Sequence, residues 1–365
     1  MHTRRYDLRE MKPARIGILR ALKLGDLLCS IPAVRALKRA VPHTEIALIG
    51  LPWAREFAER FSHYFSEFIE FPGWPGLPEQ EVRLDEVPAF LAHARQRAFD
   101  LLVQMHGSGR HVNDAVGIMG ARQVAGFCED GPAWFMANTF IKYPDREPEV
   151  WKCLRLACHI GGVFDGEDLE FPLREGDFEH VERLVPESFK RGPFAVFHPG
   201  ALANRERLWP LADFAEVGRT LMTWGISIVI TGAHYEKSRA DQLVTLLQAR
   251  NGEEERVLNL CGKTSLGGLG ALLSQARLLV CHDTGVSHMA AAVRVPSVVL
   301  FDRSDREGWP PADRQLHRFM TRFDPIRPHH VVAEIADLLR STEGRLPSRL
   351  HDSTTREEAC RRAVA

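Results

Sequence analysis

The stretch Cys281-His282-Asp283-Thr284-Gly285-Val286-Ser287-His288-Met289-Ala290-Ala291-Ala292 decides the fold class. A strand-like run, Ala276 to Cys281, enters a Thr-Gly turn, and a helix of small residues follows at once. Strand, tight turn and helix in that order form the unit from which α/β sheets are built. The same unit points free backbone N–H groups and the positive end of a helix dipole at one spot, which suits a diphosphate. Asp283 and His288 flank that spot and are able to hold hydroxyls and a further phosphate oxygen. A plainer reading stands beside it: Asp283 or Thr284 caps the helix, and His288 lies on a packed face.

Outward from this stretch the pattern recurs. Residues 15–22 read as a buried strand, Lys23-Leu24-Gly25-Asp26 as a turn, and Ser30 to Ala40 as a helix with Pro32 in its first turn. Strands are expected at Glu45–Ile49 and Leu101–Gln104, the second ending in Met105-His106-Gly107-Ser108-Gly109-Arg110. The alternation then restarts. Phe194–Phe197 leads into His198-Pro199-Gly200, and a helix is expected over Phe214–Trp224. Further strands are expected at Ser227–Thr231, Val257–Leu260, Leu278–Cys281 and Ser297–Phe301. The fold class is therefore α/β, with two doubly wound, Rossmann-like domains in tandem. Their expected extents are 1–188 and 189–341, with a polar tail at 342–365. In open α/β sheets ligands sit beyond the carboxyl ends of the strands, so these motifs are expected to converge on one cleft.

Composition narrows the class. A chain of 365 residues suits two cores of ordinary size. A net charge of -1 argues against a nucleic-acid partner held by a broad basic field. Residues 1–190 carry 24 basic and 28 acidic side chains, and residues 191–365 carry 23 and 20. The acidic excess lies between Asp165 and Glu187. Arg20, Lys23, Arg35, Lys38 and Arg39 cluster around the first strand and helix, where they are expected to form a local basic patch. Seven cysteines without a CxxC pair read as reduced, mostly buried thiols. Early charges at Asp7, Glu10 and Lys12 interrupt any signal-like apolar region, and no run is long enough to span a bilayer. The expected location is the cytoplasm, with peripheral contact at the inner membrane face left open.

Asp26 follows the first strand, where a carboxylate is able to act as general base if its surroundings raise its pKa; a helix cap or turn aspartate is the other reading. Around Asp26 the segment ILRALKLGDLLCSIPAVRALKRAVP resembles the opening of the heptosyltransferase family, glycosyltransferase family 9. The resemblance continues through FDLLVQMHGSGR, IMGARQVAGF, VFHPGALANRERLWPLADFAEV and ITGAHYEKS. It ends with LCGKTSLGGLGALLSQARLLVCHDTGVSHMAAAVRVPSVVLF and DRSDREGWPP, and covers most of residues 15–311 in family order.

This resemblance implies a GT-B fold, with acceptor on the N-terminal domain and nucleotide sugar on the C-terminal one. It also implies an inverting, metal-independent transfer, typically of heptose from ADP-heptose in lipopolysaccharide core assembly. No cofactor is expected; the partners are a nucleotide-sugar donor and a glycolipid or glycan acceptor. By position, Asp26 matches the catalytic base. Gly200, Arg207, Glu236, Asp283, Thr284, Gly285 and His288 match donor contacts, and Lys23, His106 and Arg110 fall on the acceptor side. Arg207 stands where the family often has Lys, and Gln104-Met105-His106-Gly107 lacks the Asp of the family's Asp-x-Gln-Gly loop. Arg207 also reads as a surface charge, His106 and Arg110 as helix caps, and His198 and Trp209 as packing residues. The alternatives to a transferase are a non-catalytic nucleotide-sugar binder and a sugar-nucleotide 2-epimerase of the same architecture.

Overall fold

The protein is described from a computed structural model covering residues 7–129, 138–190, 192–200, 208–248, 254–301, 313, 315–321 and 326–342. It divides into two compact units, Met1–Leu169 and Glu170–Ala365. Residues 170–188 carry the helix Glu175–Leu184, which packs on the helix Leu266–Gln275 and so belongs with the second unit.

In the first unit, β1 (Arg15–Leu19), β2 (Glu45–Gly50), β3 (Glu67–Glu70), β4 (Leu101–Gln104), β5 (Gln123–Cys128) and β6 (Phe140–Lys142) form one parallel sheet. Its order is β3-β2-β1-β4-β5-β6. The second unit repeats the plan with β7 (Phe194–His198), β8 (Ser227–Ile230), β9 (Val257–Asn259), β10 (Leu278–His282), β11 (Ser297–Phe301) and β12 (His317–Thr321). Here the order is β12-β11-β10-β7-β8-β9, again all parallel. Central strands buried on both faces read as continuous apolar runs, which is why β1, β4, β7 and β10 stand out in the sequence. Leu19, Ile49, Phe99 and Leu102 anchor the first core, and Phe197, Phe214, Ile228 and Val280 the second.

One element differs from expectation in a way that matters. The first long helix runs from Leu24 to Ala40, so Lys23-Leu24-Gly25-Asp26 is its opening turn and Pro32 lies in its interior. The Asp26 carboxylate accepts the Lys23 backbone N–H at 3.2 Å, which caps the helix start. Ser30 Oγ donates to the Leu27 carbonyl at 2.7 Å within the same stretch. Packing against the helix Glu149–His159 holds the segment helical, where local propensity alone, with Gly25 and Pro32, argues against it. The helix Leu211–Thr223 also starts before the expected Phe214, directly after Pro210.

Candidate functional site

Each sheet has a switch point where the chain reverses its direction of winding: between β1 and β4 in the first unit, and between β7 and β10 in the second. The loops after those four strands carry nearly all the residues singled out in the sequence, and a switch point is where open α/β sheets bind ligands.

In the first unit, Arg20 follows β1 directly and is wholly buried. Its guanidinium donates to the Asp26 backbone carbonyl at 2.7 Å, to the Met105 carbonyl, and to Glu149 Oε1 at 2.9 Å. It also passes Asp26 Oδ1 at 3.9 Å. Glu149 is shared with Lys152, whose Nζ lies 3.3 Å from Oε2 and donates to the Tyr143 hydroxyl at 3.1 Å. The result is a buried chain of alternating charge, Asp26–Arg20–Glu149–Lys152. Burial pushes the Glu149 carboxyl up, but Arg20 and Lys152 outweigh it and hold the group below the usual carboxylate range. Asp26 ends the chain and behaves in the opposite way. Burial pushes its carboxyl up, Arg20 pulls it back only in part, and the negative charge of Glu149 adds to the rise. Its side chain is still 17% exposed, so a substrate is able to reach it.

Lys23 is exposed at the helix N-cap. The other four members of the expected basic patch are taken up within the unit. Arg20 is buried as described, Arg35 donates to the carbonyls of Asp165, Gly166 and Asp168, Lys38 donates to the Thr44 carbonyl, and Arg39 pairs with Asp165. The patch is thus corrected to a set of internal links. Arg110 is likewise bound, donating through Nε to Glu129 Oε2 at 2.6 Å, while Ser108 donates to the other Glu129 oxygen at 2.7 Å. His106 follows β4 and is buried, with Nε2 3.6 Å from Glu79 Oε2. Gln104, read in the sequence as a departure from pattern, is a buried clamp: it donates to the His106 carbonyl at 2.6 Å and accepts the Phe127 N–H at 2.9 Å.

In the second unit, Gly200 and Glu236 meet. Glu236 Oε2 accepts the Ala233 N–H at 2.7 Å and lies 3.8 Å from His198 Nε2. Burial raises the Glu236 carboxyl, with Ala233 and Arg239 opposing. Burial also pushes His198 down to about 4, so at neutral pH it is an uncharged ring hydrogen-bonded to Thr231 Oγ1 at 3.1 Å. Arg239 donates to the carbonyls of Pro199 at 2.8 Å and Trp209 at 2.7 Å. Trp209 is a packing residue, edge-on to Phe214 with ring centroids 5.0 Å apart, and its Nε1 donates to the Ile326 carbonyl at 3.0 Å. Its backbone N–H donates to Nε2 of His282 at 2.8 Å. Arg207 lies outside the described residues.

Across the switch point, β10 ends at His282. Asp283 and Thr284 are partly exposed, and Thr284 is the extended N-cap of the helix Gly285–Ala292. Ser287 N and Oγ both donate to the Thr284 carbonyl, at 2.9 and 2.7 Å, which fixes the turn. His288 is buried on the helix, near enough to His317 to disfavour charge there. Among the described residues no group of three His, Cys, Asp or Glu side chains is placed to hold a metal ion. Among the same residues no helix is long and apolar enough to cross a membrane.

Sequence reading missed Glu149, Lys152, Glu79, Arg239 and the burial of Arg20. A signal existed only for Arg20, a guanidinium inside the apolar run Ile-Leu-Arg-Ala-Leu, where a buried charge requires a partner.

Comparison with known proteins bears on the whole arrangement. The model of glycosyltransferase family 9 (heptosyltransferase) matches residues 89–327. The chain is 28% identical over 320 residues to lipopolysaccharide heptosyltransferase 2 of Escherichia coli K12, covering 83% of this chain and 88% of that protein. Among solved structures, a family 9 glycosyl transferase from Veillonella parvula superposes with a TM-score of 0.75 at 17% identity, covering 90% of this chain and 97% of that one. E. coli ADP-heptose LPS heptosyltransferase II gives 0.73 at 19% identity, covering 90% and 100%. These two structures share the double Rossmann-like, GT-B plan.

Proposed function

Since the chain belongs to glycosyltransferase family 9, we propose that it transfers a heptose from ADP-heptose to a glycan acceptor of the lipopolysaccharide-core kind, with Asp26 as general base. The family makes it a transferase; donor, acceptor and base are our reading.

The observation that carries the reading is the setting of Asp26. It sits at the switch point of its sheet, in the first turn of a helix, partly exposed, with its carboxyl raised by burial and by Glu149. A general base works best when its pKa approaches the operating pH. In the proposed step the acceptor hydroxyl gives its proton to the Asp26 carboxylate as its oxygen attacks the anomeric carbon. The bond from that carbon to the diphosphate breaks, the nucleoside diphosphate leaves with the electron pair, and the configuration inverts.

Charge that develops on the leaving diphosphate is best met by preorganised donors. The N-terminal turn of the helix Gly285–Ala292 supplies backbone N–H groups, with Asp283 and His288 beside it for sugar and phosphate oxygens. We place Arg207 on a phosphate, by its position in the sequence. Glu236 and Gly200, facing each other at the end of β7, are assigned to the nucleoside side of the donor. The transfer follows the metal-independent course that the family resemblance implies.

Asp26→Asn tests the reading. Turnover should fall by about 10²- to 10⁴-fold, the usual worth of a positioned base, while calorimetric affinity for ADP stays as it was. Unchanged turnover would remove Asp26 from the mechanism.

A further inference from the structure

The long connection after β3 reaches over to the end of β4. Residues 72–86 contain no helix or strand, yet they are firmly tied down. Gln80 Nε2 donates to the Phe71 carbonyl at 2.8 Å, Arg83 N donates to the Pro72 carbonyl at 3.0 Å, and the Arg83 side chain pairs with Glu70 at 2.8 Å and Glu86 at 2.9 Å. Gly76, at φ 88°, lies so close to His111 that a Cβ there would stand 2.7 Å from Nδ1. The connection thereby delivers Glu79 to His106, at the same switch point as Asp26.

The pair makes no hydrogen bond of its own. His106 is 5% exposed, and among the described residues neither of its ring nitrogens has a hydrogen-bond partner. Glu79 Oε2 is buried too and meets His106 Nε2 only as an ion pair at 3.6 Å, longer than a hydrogen bond. Burying polar atoms without hydrogen bonds is unfavourable, and three of them lie together here at the switch point beside Asp26, which points to a ligand. The His106 ring also lies near enough to Asp26 to act on its carboxyl.

We propose that His106 and Glu79 are the part of the acceptor site that reads sugar hydroxyls, so that the sugar unit seated there is uncharged rather than phosphorylated or carboxylated. This rests on the reading of Asp26 as the base of a sugar transfer. A hydroxyl both donates and accepts, so it is able to give a hydrogen bond to Glu79 and exchange another with an imidazole nitrogen. A phosphate offers acceptors and negative charge, and here it would face Glu79, whose carboxyl is held below its ordinary range by His106 and Lys23 against the effect of burial. Of the nearby arginines, Arg20 is engaged with Glu149 and Arg110 with Glu129, which leaves exposed Lys23, among the described residues, as the one cation beside Glu79 that these pairs do not take up.

The test uses the full chain with ADP present and two probes, methyl heptoside and its monophosphate, followed by saturation-transfer NMR and by the ¹⁵N signals of the His106 imidazole. The neutral glycoside should bind about tenfold more tightly than the phosphate and shift the His106 nitrogens. Glu79→Gln and His106→Gln should each weaken the neutral glycoside about three- to tenfold and narrow the preference, with ADP affinity and melting temperature retained. The inference is overturned if the phosphate binds as well as the neutral probe, if neither probe shows saturation transfer, or if both variants leave both affinities unchanged. Turnover that survives in Asp26→Asn would instead sink the base assignment, and the glycoside preference would still be read independently.

Discussion

Gly200 stands against Glu236 so closely that an ideal Cβ on residue 200 would lie 1.8 Å from Glu236 Oε1 and 2.2 Å from its Cδ. The carboxylate is not a loose side-chain end, because Oε2 is held by the Ala233 N–H at 2.7 Å. Gly200→Ala must therefore displace Glu236 from its cap. Overpacking of this kind costs about 1–3 kcal/mol, read as a fall in melting temperature, and ADP affinity should drop with it. Adding Glu236→Ala to the same chain should restore the melting temperature but not the affinity. A single variant as stable as the parent would show that the loop yields freely.

Arg239 holds residues 199 and 209 from one guanidinium, donating through Nε to Pro199 and through a terminal nitrogen to Trp209. Lysine has no fork and would keep one link at best. Loss of a charge-assisted hydrogen bond is worth about 1.5–3 kcal/mol, somewhat less for this half-buried group. Arg239→Lys should lower both the thermal midpoint and ADP affinity, the latter several-fold. If titration calorimetry finds ADP bound as before, the clamp has no part in shaping the donor site.

Glu149→Gln removes the charge that balances buried Arg20 and keeps the shape. Breaking a buried pair costs about 3–5 kcal/mol, and the retained amide oxygen places this variant at the low end. The second effect is on Asp26. Glu149 contributes to the rise of the Asp26 carboxyl, and with it gone Arg20 turns its full attraction on Asp26. The acid limb of kcat/KM against pH should then move to lower pH. A limb that stays in place, or moves up, would break the proposed coupling.

Three buried histidines of the second unit, His198, His282 and His317, are each held down to about 4 by burial, against an ordinary 6.5. A depressed histidine binds fewer protons folded than unfolded, so stability is lost as pH falls from about 6.5 toward 4. Each contributes up to about 3 kcal/mol to that loss at its limit. Glu149, with its folded carboxyl lowered, adds to the same trend in the carboxylate range. Calorimetric melting between pH 7 and pH 4.5 should show a steady decline that begins above the carboxylate range. A flat melting temperature from pH 7 to pH 5 would contradict it.

The central strands were legible because burial on both faces leaves an unbroken apolar run, as in Leu278–Cys281. The outer strands were not: β3 is Glu-Phe-Ile-Glu and β12 is His-Arg-Phe-Met-Thr, short and polar enough to pass for loop. Lys23-Leu24-Gly25-Asp26 read as a turn because glycine and aspartate favour one, whereas a helix from another part of the chain packs the segment into its first turn. The strand-end loops after β4, β7 and β10 fall where the sequence put them. What supports them was not legible, since Glu79, Glu149 and Arg239 are ordinary surface-type residues in sequence. Their roles exist only through partners such as His106, Arg20 and Pro199, which the fold brings near.

The Arg20–Glu149 link has one more consequence, for the order in which the chain assembles. Its two ends are 129 residues apart, and Arg20 directly follows the strand at the middle of its sheet. Until residue 149 has been made, a closed first core would bury that guanidinium with only Asp26, at 3.9 Å, as counter-charge. During synthesis, then, Arg20 lacks its nearest carboxylate partner until the helix Glu149–His159 has been made.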